Sequence, residues 1–185
     1  VGGGVVGGGG GGGGGGARRG GGPPRGWVIH AVASAGQADR LLRLGAATVT
    51  DYRSEGWRDS WAARVRLRPL DAVIDMVSGA HAASLAPLIG ANGHLVCIQD
   101  RQETAPLPAF STTISLHEVG LNAMHSHASD AQWAGLVAEG AAMARQIVTG
   151  EFDPQLLETA DFDALPAALA RLQAGPNPGN RVVVL

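Results

Sequence analysis

An unbroken run of glycines from Gly7 to Gly16 is the feature that most restricts how this chain can fold. Residues 1–26 hold 17 of the 29 glycines in the 185-residue sequence. Each glycine costs roughly 0.8–1 kcal/mol relative to alanine in a helix interior. Ten in succession would cost about 8–10 kcal/mol, which is comparable to the ~5–15 kcal/mol stability of a whole domain. The sequence therefore predicts a flexible, low-complexity segment over residues 1–26 and no helix there.

Composition places the rest of the chain among ordinary globular domains. Apolar residues make up 45% of the sequence and the net charge is −2, so neither nucleic acid nor an anionic membrane is an expected partner. The single cysteine, Cys97, excludes an internal disulfide and a multi-cysteine metal site. No stretch approaches the roughly 20 apolar residues of a membrane span, and no signal-peptide pattern is present. We therefore expect a cytoplasmic protein.

From Trp27 onward, short apolar runs alternate with helical patterns. The sequence predicts strands at residues 27–33, 47–50, 71–75, 93–99, 113–119 and 181–185. Strands that alternate with helices in this way are typical of an open parallel sheet covered on both faces. We expect one α/β domain over residues 27–185.

Five helices are predicted from apolar spacing, capping residues and glycine stops. Ser54 is expected to cap a helix whose apolar face carries Trp57, Trp61 and Val65. Ser129 and Gln132 form a capping-box pair at the start of the longest helix. The remaining predicted helices run from Ala38 to Gly45, through Ala82, Leu85, Leu88 and Ile89, and from a cap at Asp163 to Gly175.

Ligands of such sheets bind at the carboxyl ends of the strands, near the point where the strand order reverses. The first predicted strand end lacks the acidic residue that accepts the ribose 2′-hydroxyl of NAD. It offers Ser34 instead, with Gln37 and Arg40 nearby, and a hydroxyl with a guanidinium suits a 2′-phosphate. This pattern favours NADP, whereas NAD stays open if Arg40 is only a solvated helix residue.

Gly2, Gly4 and Gly7 match the glycine-rich dinucleotide fingerprint, but in so glycine-dense a segment the match is nearly automatic. The motif needs a preceding strand and a following helix whose amides hold the pyrophosphate. Only Val1 precedes these glycines, and more glycine follows them. The segment is therefore a weak candidate for a phosphate loop.

The other polar residues are predicted to be structural. Asp75 is expected to hydrogen-bond the amides of the turn after its strand, with a position facing the cofactor as the alternative. Cys97 is expected to be an inert core thiol. His125 and His127 have no carboxylate or thiol cluster beside them, so no metal site is predicted. The remaining histidines are interpreted as isolated residues, namely His30, His81, His94 and His117.

Four segments carry a family pattern in order along the chain. They are residues 41–53 (LLRLGAATVTDYR), 71–79 (DAVIDMVSG), 93–99 (GHLVCIQ) and 162–183, with a closing helix and strand. Together they resemble the cofactor-binding half of the medium-chain dehydrogenase/reductase superfamily, of the quinone-oxidoreductase and zinc-type alcohol dehydrogenase kind. The resemblance covers residues 27–185. It implies a Rossmann-type, doubly wound parallel sheet whose first βα unit is degraded to a glycine-rich segment.

The resemblance also implies a function. Members of the family transfer hydride between NAD(P)H and a quinone, enone or carbonyl substrate, so a small molecule is the expected partner. It places a set of residues beside the cofactor: Ser34, Gln37, Tyr52 and Arg53 at the adenosine ribose or its phosphate, Val77 and Ser78 near the other ribose, and Ile98 and Gln99 near the nicotinamide. It assigns no catalytic residue.

The family's preceding catalytic domain, which supplies metal ligands in zinc-dependent members, is absent from these residues. We therefore expect NADP without zinc in this chain, and slow turnover by the chain alone. The alternative is an inactive nucleotide-binding or dimerisation remnant, with a homodimer formed through the sheet edge after Thr113. A methyltransferase is disfavoured because Ser34 stands where such enzymes usually place an acidic residue.

Overall fold

The computed structural model describes residues 4–9, 27–77, 79–120, 122–152, 156–174 and 180–184. The chain divides into two compact units. The first holds the described residues up to Trp133, and the second holds those from Ala134 onward. The sequence predicts a single domain over residues 27–185, and the structure places a division inside that range.

A six-stranded sheet forms the framework of the first unit. Its strands are β1 (Gly4–Gly9), β2 (Trp27–Ala33), β3 (Thr48–Asp51), β4 (Leu70–Asp75), β5 (Ile89–Cys97) and β6 (Ser115–Glu118). Their spatial order is β3-β2-β1-β4-β5-β6. This is the strand order of doubly wound dinucleotide-binding sheets, in which the order reverses beside β1.

The helices follow the predicted alternation. They are α1 (Ala38–Arg43), α2 (Trp57–Val65), α3 (Gly79–Leu85), α4 (Ala123–His127), α5 (Asp130–Val148) and α6 (Leu165–Ala174). In the second unit, β7 (Leu156–Asp161) and β8 (Asn180–Val184) form a separate parallel pair. The sequence missed β7 and the short helix α4. No helix in the described part of the chain is both long and apolar enough to cross a membrane.

The direction of the strands confirms most of the predicted sheet and corrects its centre. Strands β2 and β3 are parallel, as are β4, β5 and β6. Strand β1 is antiparallel to both of its neighbours, with Gly4 opposite Val32 and Val5 opposite Ile74. The sheet is therefore mixed, and the prediction of an irregular segment is wrong for Gly4–Gly9. The rest of 1–26 lies outside the described residues.

Backbone hydrogen bonding explains why glycine-rich sequence forms a strand there. The facing edges of β2 and β4 carry backbone N–H and C=O groups that need partners inside the sheet. Glycine supplies the same backbone donor and acceptor as any other residue. Strand β1 pairs over all six of its residues with β2, so the ladder offsets the poor strand propensity of glycine.

The core lies between the sheet and helices α2 and α3. Trp57, Trp61 and Val65 are buried, which confirms the predicted face of α2. Val73 of β4 and Leu95 of β5 are fully enclosed with the α3 side chains. This packing fixes the carboxyl ends of β4 and β5 relative to α3.

Helix boundaries differ from the prediction at three places. Gly56, in the left-handed region at φ 68°, caps α2, because the Ser54 hydroxyl donates to Asp51 O at 2.6 Å and is engaged in the preceding turn. Ile89 begins β5, since a 3-10 turn over Ala86–Leu88 ends α3 first. Asp163 lies within a 3-10 turn, Phe162–Ala164, that leads into α6.

The predicted capping box at the start of α5 is confirmed. The Ser129 N–H donates to Gln132 Oε1 at 2.8 Å, and the Gln132 N–H donates to Ser129 Oγ at 3.4 Å. Gly150, at φ 73°, follows the end of the helix as predicted. Local side-chain chemistry was therefore sufficient to place the longest helix.

Candidate functional site

The carboxyl ends of β2, β3, β4 and β5 lie along one edge of the sheet. Ala33 is level with Asp51, and Asp75 is level with Cys97. The start of β1 reaches the same edge between these two pairs, because Gly4 lies opposite Val32. With strands ~4.7–4.9 Å apart, β2 and β4 are separated by about 10 Å across β1. The predicted site residues therefore form two groups on one edge.

The first group surrounds the end of β2. Ser34 directly follows the strand and is half-buried. A 3-10 turn and helix α1 then bring Gln37 and Arg40 together, and Arg40 Nη1 donates to Gln37 Oε1 at 3.4 Å. The other terminal nitrogen, Arg40 Nη2, is buried and has no hydrogen-bond partner among the described residues. Arg40 is thus not a freely solvated helix residue.

Tyr52 and Arg53 extend this first group from the neighbouring strand. The Tyr52 N–H donates to Ala33 O at 3.3 Å, so the ends of β2 and β3 are tied together. The Arg53 guanidinium lies over the Tyr52 ring, 5.4 Å from its centroid. The group thus combines a half-buried aromatic ring with two guanidinium groups, which suits an anionic ligand with a flat ring.

The second group lies at the ends of β4 and β5. The Ile98 N–H donates to Asp75 O at 2.9 Å, and Val77 is half-buried beside that end. Ile98 is 42% exposed and Gln99 is exposed, so both are open to a ligand. Ser78 lies outside the described residues.

A buried carboxylate organises the turn between β4 and α3. Asp75 is 1% exposed, and its Oδ1 lies 2.5 Å from His81 Nδ1. Its Oδ2 accepts a hydrogen bond from the Val77 N–H at 3.3 Å, which confirms the predicted role of Asp75 in the turn. Gln102 Nε2 donates to Gly79 O at 2.7 Å from the loop after β5. The turn is therefore held by Asp75 at the end of β4 and by Gln102 in the loop after β5.

Sequence reasoning missed His81 as a partner of Asp75 and interpreted it as isolated. Its side chain is 15% exposed, and its ring lies 6.3 Å from that of Trp57. An aspartate at the end of a buried strand, followed by a histidine in the first turn of the next helix, was the available signal.

Cys97 behaves as a core thiol. It is 4% exposed and level with Asp75 on the adjacent strand. Burial raises the pKa of the Cys97 thiol, and the negative charge of Asp75 raises it further. A thiol with a raised pKa holds little thiolate at neutral pH, so Cys97 is a poor nucleophile.

The formal glycine fingerprint does not form the expected turn. Gly4 and Gly7 lie within β1, and Gly7 pairs with both Ile29 and Ala72. Strand β1 ends at Gly9 opposite Trp27, so it ends at the edge of the sheet away from the candidate site. The described residues therefore supply no phosphate loop, while Gly2 lies outside them.

Metal-ligating side chains are sparse in the described residues. No cluster of three or more His, Cys, Asp or Glu side chains there could hold a metal ion. Two histidines interpreted as isolated do meet, however. His94 Nδ1 and His117 Nε2 are 3.1 Å apart across β5 and β6.

Solved structures share this fold. A protein assigned as an NADPH:quinone reductase from Bacillus thuringiensis has a TM-score of 0.64 and 20% identity, over 83% of this chain and 48% of that one. The CurK enoyl reductase has a TM-score of 0.60 and 17% identity, over 82% of this chain and 45% of that one. The alcohol dehydrogenase of Aeropyrum pernix has a TM-score of 0.56 and 18% identity, over 83% of this chain and 42% of that one. This chain therefore spans less than half the length of each of these proteins.

Sequence comparison identifies the family. No curated protein matches the sequence. A family model described as zinc-binding dehydrogenase matches residues 44–183, which is well over half of the chain. That range holds the four strand and helix segments that carry the family pattern, apart from the start of the first. The chain belongs to the zinc-binding dehydrogenase family.

Proposed function

We propose that this chain is the NADP-binding half of an oxidoreductase that transfers hydride between NADPH and a quinone, enone or carbonyl substrate. Family membership supports the reaction class. The observation that carries the cofactor proposal is the buried Arg40 Nη2, which has no acceptor among the described residues at the edge where a nucleotide binds. The names of the structural neighbours, a quinone reductase and an enoyl reductase among them, support the substrate classes.

The first group of residues would hold the adenosine end of the cofactor. A buried guanidinium nitrogen without an acceptor costs free energy, and a phosphate oxygen would satisfy it with a charge-assisted hydrogen bond. Ser34 and Gln37 flank Arg40 at this point, and the Tyr52 ring with Arg53 adds a flat surface and a second positive charge. The residues fit a nucleotide that carries a 2′-phosphate better than one that carries a free hydroxyl.

The second group would hold the nicotinamide end. Val77 and Ser78 would lie by the ribose, and Ile98 and Gln99 by the nicotinamide, over the turn held by Asp75 and Gln102. The cofactor supplies the hydride when bound, and the protein binds and orients it. No described residue is assigned as a catalytic acid or base.

The lack of a phosphate loop among the described residues sets the expected strength of binding. Because Gly4 and Gly7 use their backbone groups in the sheet, the described residues provide no set of amides for the pyrophosphate. We therefore expect the chain by itself to bind NADPH weakly and to turn over slowly.

A pair of arginine variants tests the cofactor proposal. Arg40 and Arg43 lie in the same helix, but Arg43 is exposed. Binding of NADPH and NADH is titrated by the fluorescence of the reduced nicotinamide. We expect NADPH to bind about tenfold more tightly than NADH, Arg40→Ala to abolish this preference, and Arg43→Ala to retain it. Equal binding of both cofactors by the unaltered chain, or an unchanged preference in Arg40→Ala, would refute the proposal.

The reaction class is tested separately. Consumption of NADPH is followed with a quinone, an enone and an aldehyde as acceptors. We expect slow oxidation of NADPH with at least one acceptor, and a lower rate in Arg40→Ala at subsaturating NADPH. Turnover at ordinary enzyme rates would contradict the expected slow turnover, and no oxidation with any acceptor would contradict the oxidoreductase proposal for this chain.

An inactive dimerisation remnant is the second candidate. The edge strand β6 favours it, since all four of its residues are exposed and one side of its backbone faces away from β5. Retained dimerisation without any NADPH binding, measured by analytical ultracentrifugation and titration, would favour this candidate over the first.

A further inference from the structure

Two exposed histidines meet on the surface of the first unit. Parallel pairing of β5 with β6 sets His94 level with Ser115, and Val96 level with His117. His94 Nδ1 and His117 Nε2 are 3.1 Å apart, and the ring centroids are separated by 5.2 Å. Twenty-three positions separate the two residues in the chain. The fold therefore creates a contact between imidazoles on adjacent strands that belongs to neither group of candidate nucleotide-binding residues.

The separation of the two nitrogens matches the span of a chelate. Imidazole nitrogens bind Zn²⁺ at ~2.0–2.1 Å. Two nitrogens 3.1 Å apart, each at that distance from one ion, subtend an angle of about 100° at the ion. This angle lies between those of square and tetrahedral coordination. Both side chains are exposed, so small rotations can turn both lone pairs toward a shared ion.

The ligand chemistry selects the class of metal. Imidazole suits Cu²⁺, Ni²⁺ and Zn²⁺, whereas Ca²⁺ and Mg²⁺ require oxygen ligands. Because no larger cluster exists in the described part of the chain, water would complete the coordination. With open positions and nitrogen ligands, affinity should follow the general order in which Cu²⁺ exceeds Ni²⁺ and Zn²⁺.

We propose that His94 and His117 form a two-histidine site for a divalent transition-metal ion across β5 and β6. In the metal-free chain, one ring nitrogen donates to the other. Metal binding replaces this hydrogen bond. The donor imidazole changes to its other neutral tautomer, with the proton on the nitrogen that faces away from the ion, so both facing nitrogens offer lone pairs and both rings stay neutral. The site stands independently of the nucleotide proposal.

Copper titration of the chelator-treated full chain tests the site. We expect one Cu²⁺ per chain and an electron paramagnetic resonance signal split by two imidazole nitrogens. His94→Ala and His117→Ala should each lower the affinity by about tenfold or more, because even loss of a ligand's outer-shell partner costs roughly 10- to 100-fold. The exposed His127, in helix α4, provides the matched control, and His127→Ala should bind Cu²⁺ as the unaltered chain does.

A second readout keeps the test decisive if a variant is less stable. A ligand that binds only the folded state raises the unfolding temperature. Cu²⁺ should raise it in the unaltered chain and in His127→Ala, but much less in His94→Ala and His117→Ala, each compared with its own metal-free form. Affinity and thermal shift unchanged in both single variants, or equally lost in His127→Ala, would overturn the proposal.

Discussion

Gly4 lies directly opposite Val32 in an antiparallel ladder, although the pairs β2–β3, β4–β5 and β5–β6 of the same sheet are all parallel. This pairing places the start of the glycine-rich strand, rather than its end, at the candidate site. The strand occupies the central position of the sheet. In doubly wound sheets the pyrophosphate binds where the first strand ends, but β1 ends at Gly9 opposite Trp27, at the end of the sheet away from the candidate site.

Pairing of β1 on both sides predicts a cost for proline at Val6. The residue pairs with His30 and with Val73, so proline would remove a backbone donor from the middle of the sheet. We expect Val6→Pro to lower the free energy of unfolding by about 1–3 kcal/mol relative to Val6→Ala. Urea denaturation followed by tryptophan fluorescence measures both variants. Equal midpoints for the two would show that β1 adds nothing to the stability of the sheet.

The core position of Leu95 predicts a large loss on truncation. Its side chain is 0% exposed, whereas Leu67 is 93% exposed. Leu95→Ala should cost about 2–5 kcal/mol, since it removes buried methyl groups and leaves a cavity. Leu67→Ala should change stability by less than about 0.5 kcal/mol. The same denaturation assay compares them, and similar losses would mean that the core does not lie between the sheet, α2 and α3.

The contact between Asp75 and His81 predicts strong coupling. Removal of the imidazole would deprive a buried carboxylate of a close partner, and breaking a buried pair costs roughly 3–5 kcal/mol. We expect His81→Ala to lose about that much stability and His127→Ala almost none. In a double-mutant cycle, Asp75→Asn and His81→Ala should lose less together than the sum of the single losses. Strict additivity would show that the two side chains do not interact.

Close packing around Gly93 predicts opposite results for two glycine substitutions. A Cβ at Gly93 would lie 2.8 Å from Asp71 O, whereas a Cβ at Gly36 would meet nothing within 4 Å. Gly93→Ala should therefore cost about 1–3 kcal/mol through overpacking. Gly36→Ala should be neutral or stabilise the fold by up to about 1 kcal/mol. Thermal unfolding of the two variants gives the comparison, and a stable Gly93→Ala would contradict the register of β4 and β5.

The surroundings of His30 predict a pH dependence. Burial lowers the pKa of the His30 imidazole from its ordinary value of 6.5, and the charges of Arg64 and Arg68 lower it further. Since the unfolded chain then binds the proton more strongly, the His30 contribution to stability is present above pH 6.5 and is lost as the pH falls through the folded-state pKa. We expect the His30 ring signal in NMR to titrate below the ordinary value.

Two arginines that each lie over a tryptophan ring allow the contribution of Arg64 to the lowered pKa of His30 to be tested. Arg64 lies over Trp61, which packs against His30, and Arg58 lies over Trp57. Arg64→Ala should raise the pKa of His30, and Arg58→Ala should leave it unchanged. An unshifted His30 pKa in Arg64→Ala would show that the Arg64 charge does not contribute to the lowering.

The alternation of strands and helices followed from local patterns in the sequence. Trp57, Trp61 and Val65 recur at helical spacing, and all three are buried on α2. The apolar run of 27–33 became β2, and Ser129 with Gln132 became a capping box. These features depend on residues close in the chain, so composition and spacing were enough to predict them. The family pattern in 41–53 and 71–79 then predicted the Rossmann-type fold.

The formation and direction of β1, and the contact between Asp75 and His81, depend on how the strands are placed in the sheet and not on local sequence patterns. Glycine has poor strand propensity, yet Gly4–Gly9 is a strand because β2 and β4 offer it partners on both sides. Its direction, and with it the end of the sheet at which it begins, depends on the connections of the whole sheet. Likewise, Asp75 meets His81 only because a turn folds α3 back over β4.

The sequence by itself determined the class of fold, the family and the strand ends that carry Ser34, Tyr52, Val77 and Ile98. Only the tertiary structure showed that Arg40 has a buried nitrogen without an acceptor among the described residues, and that His94 and His117 touch. The physical reason is the distance along the chain over which each feature is decided. Spacing along a chain reports neighbours within a helix or strand, whereas burial and contacts across strands depend on which distant segments pack together.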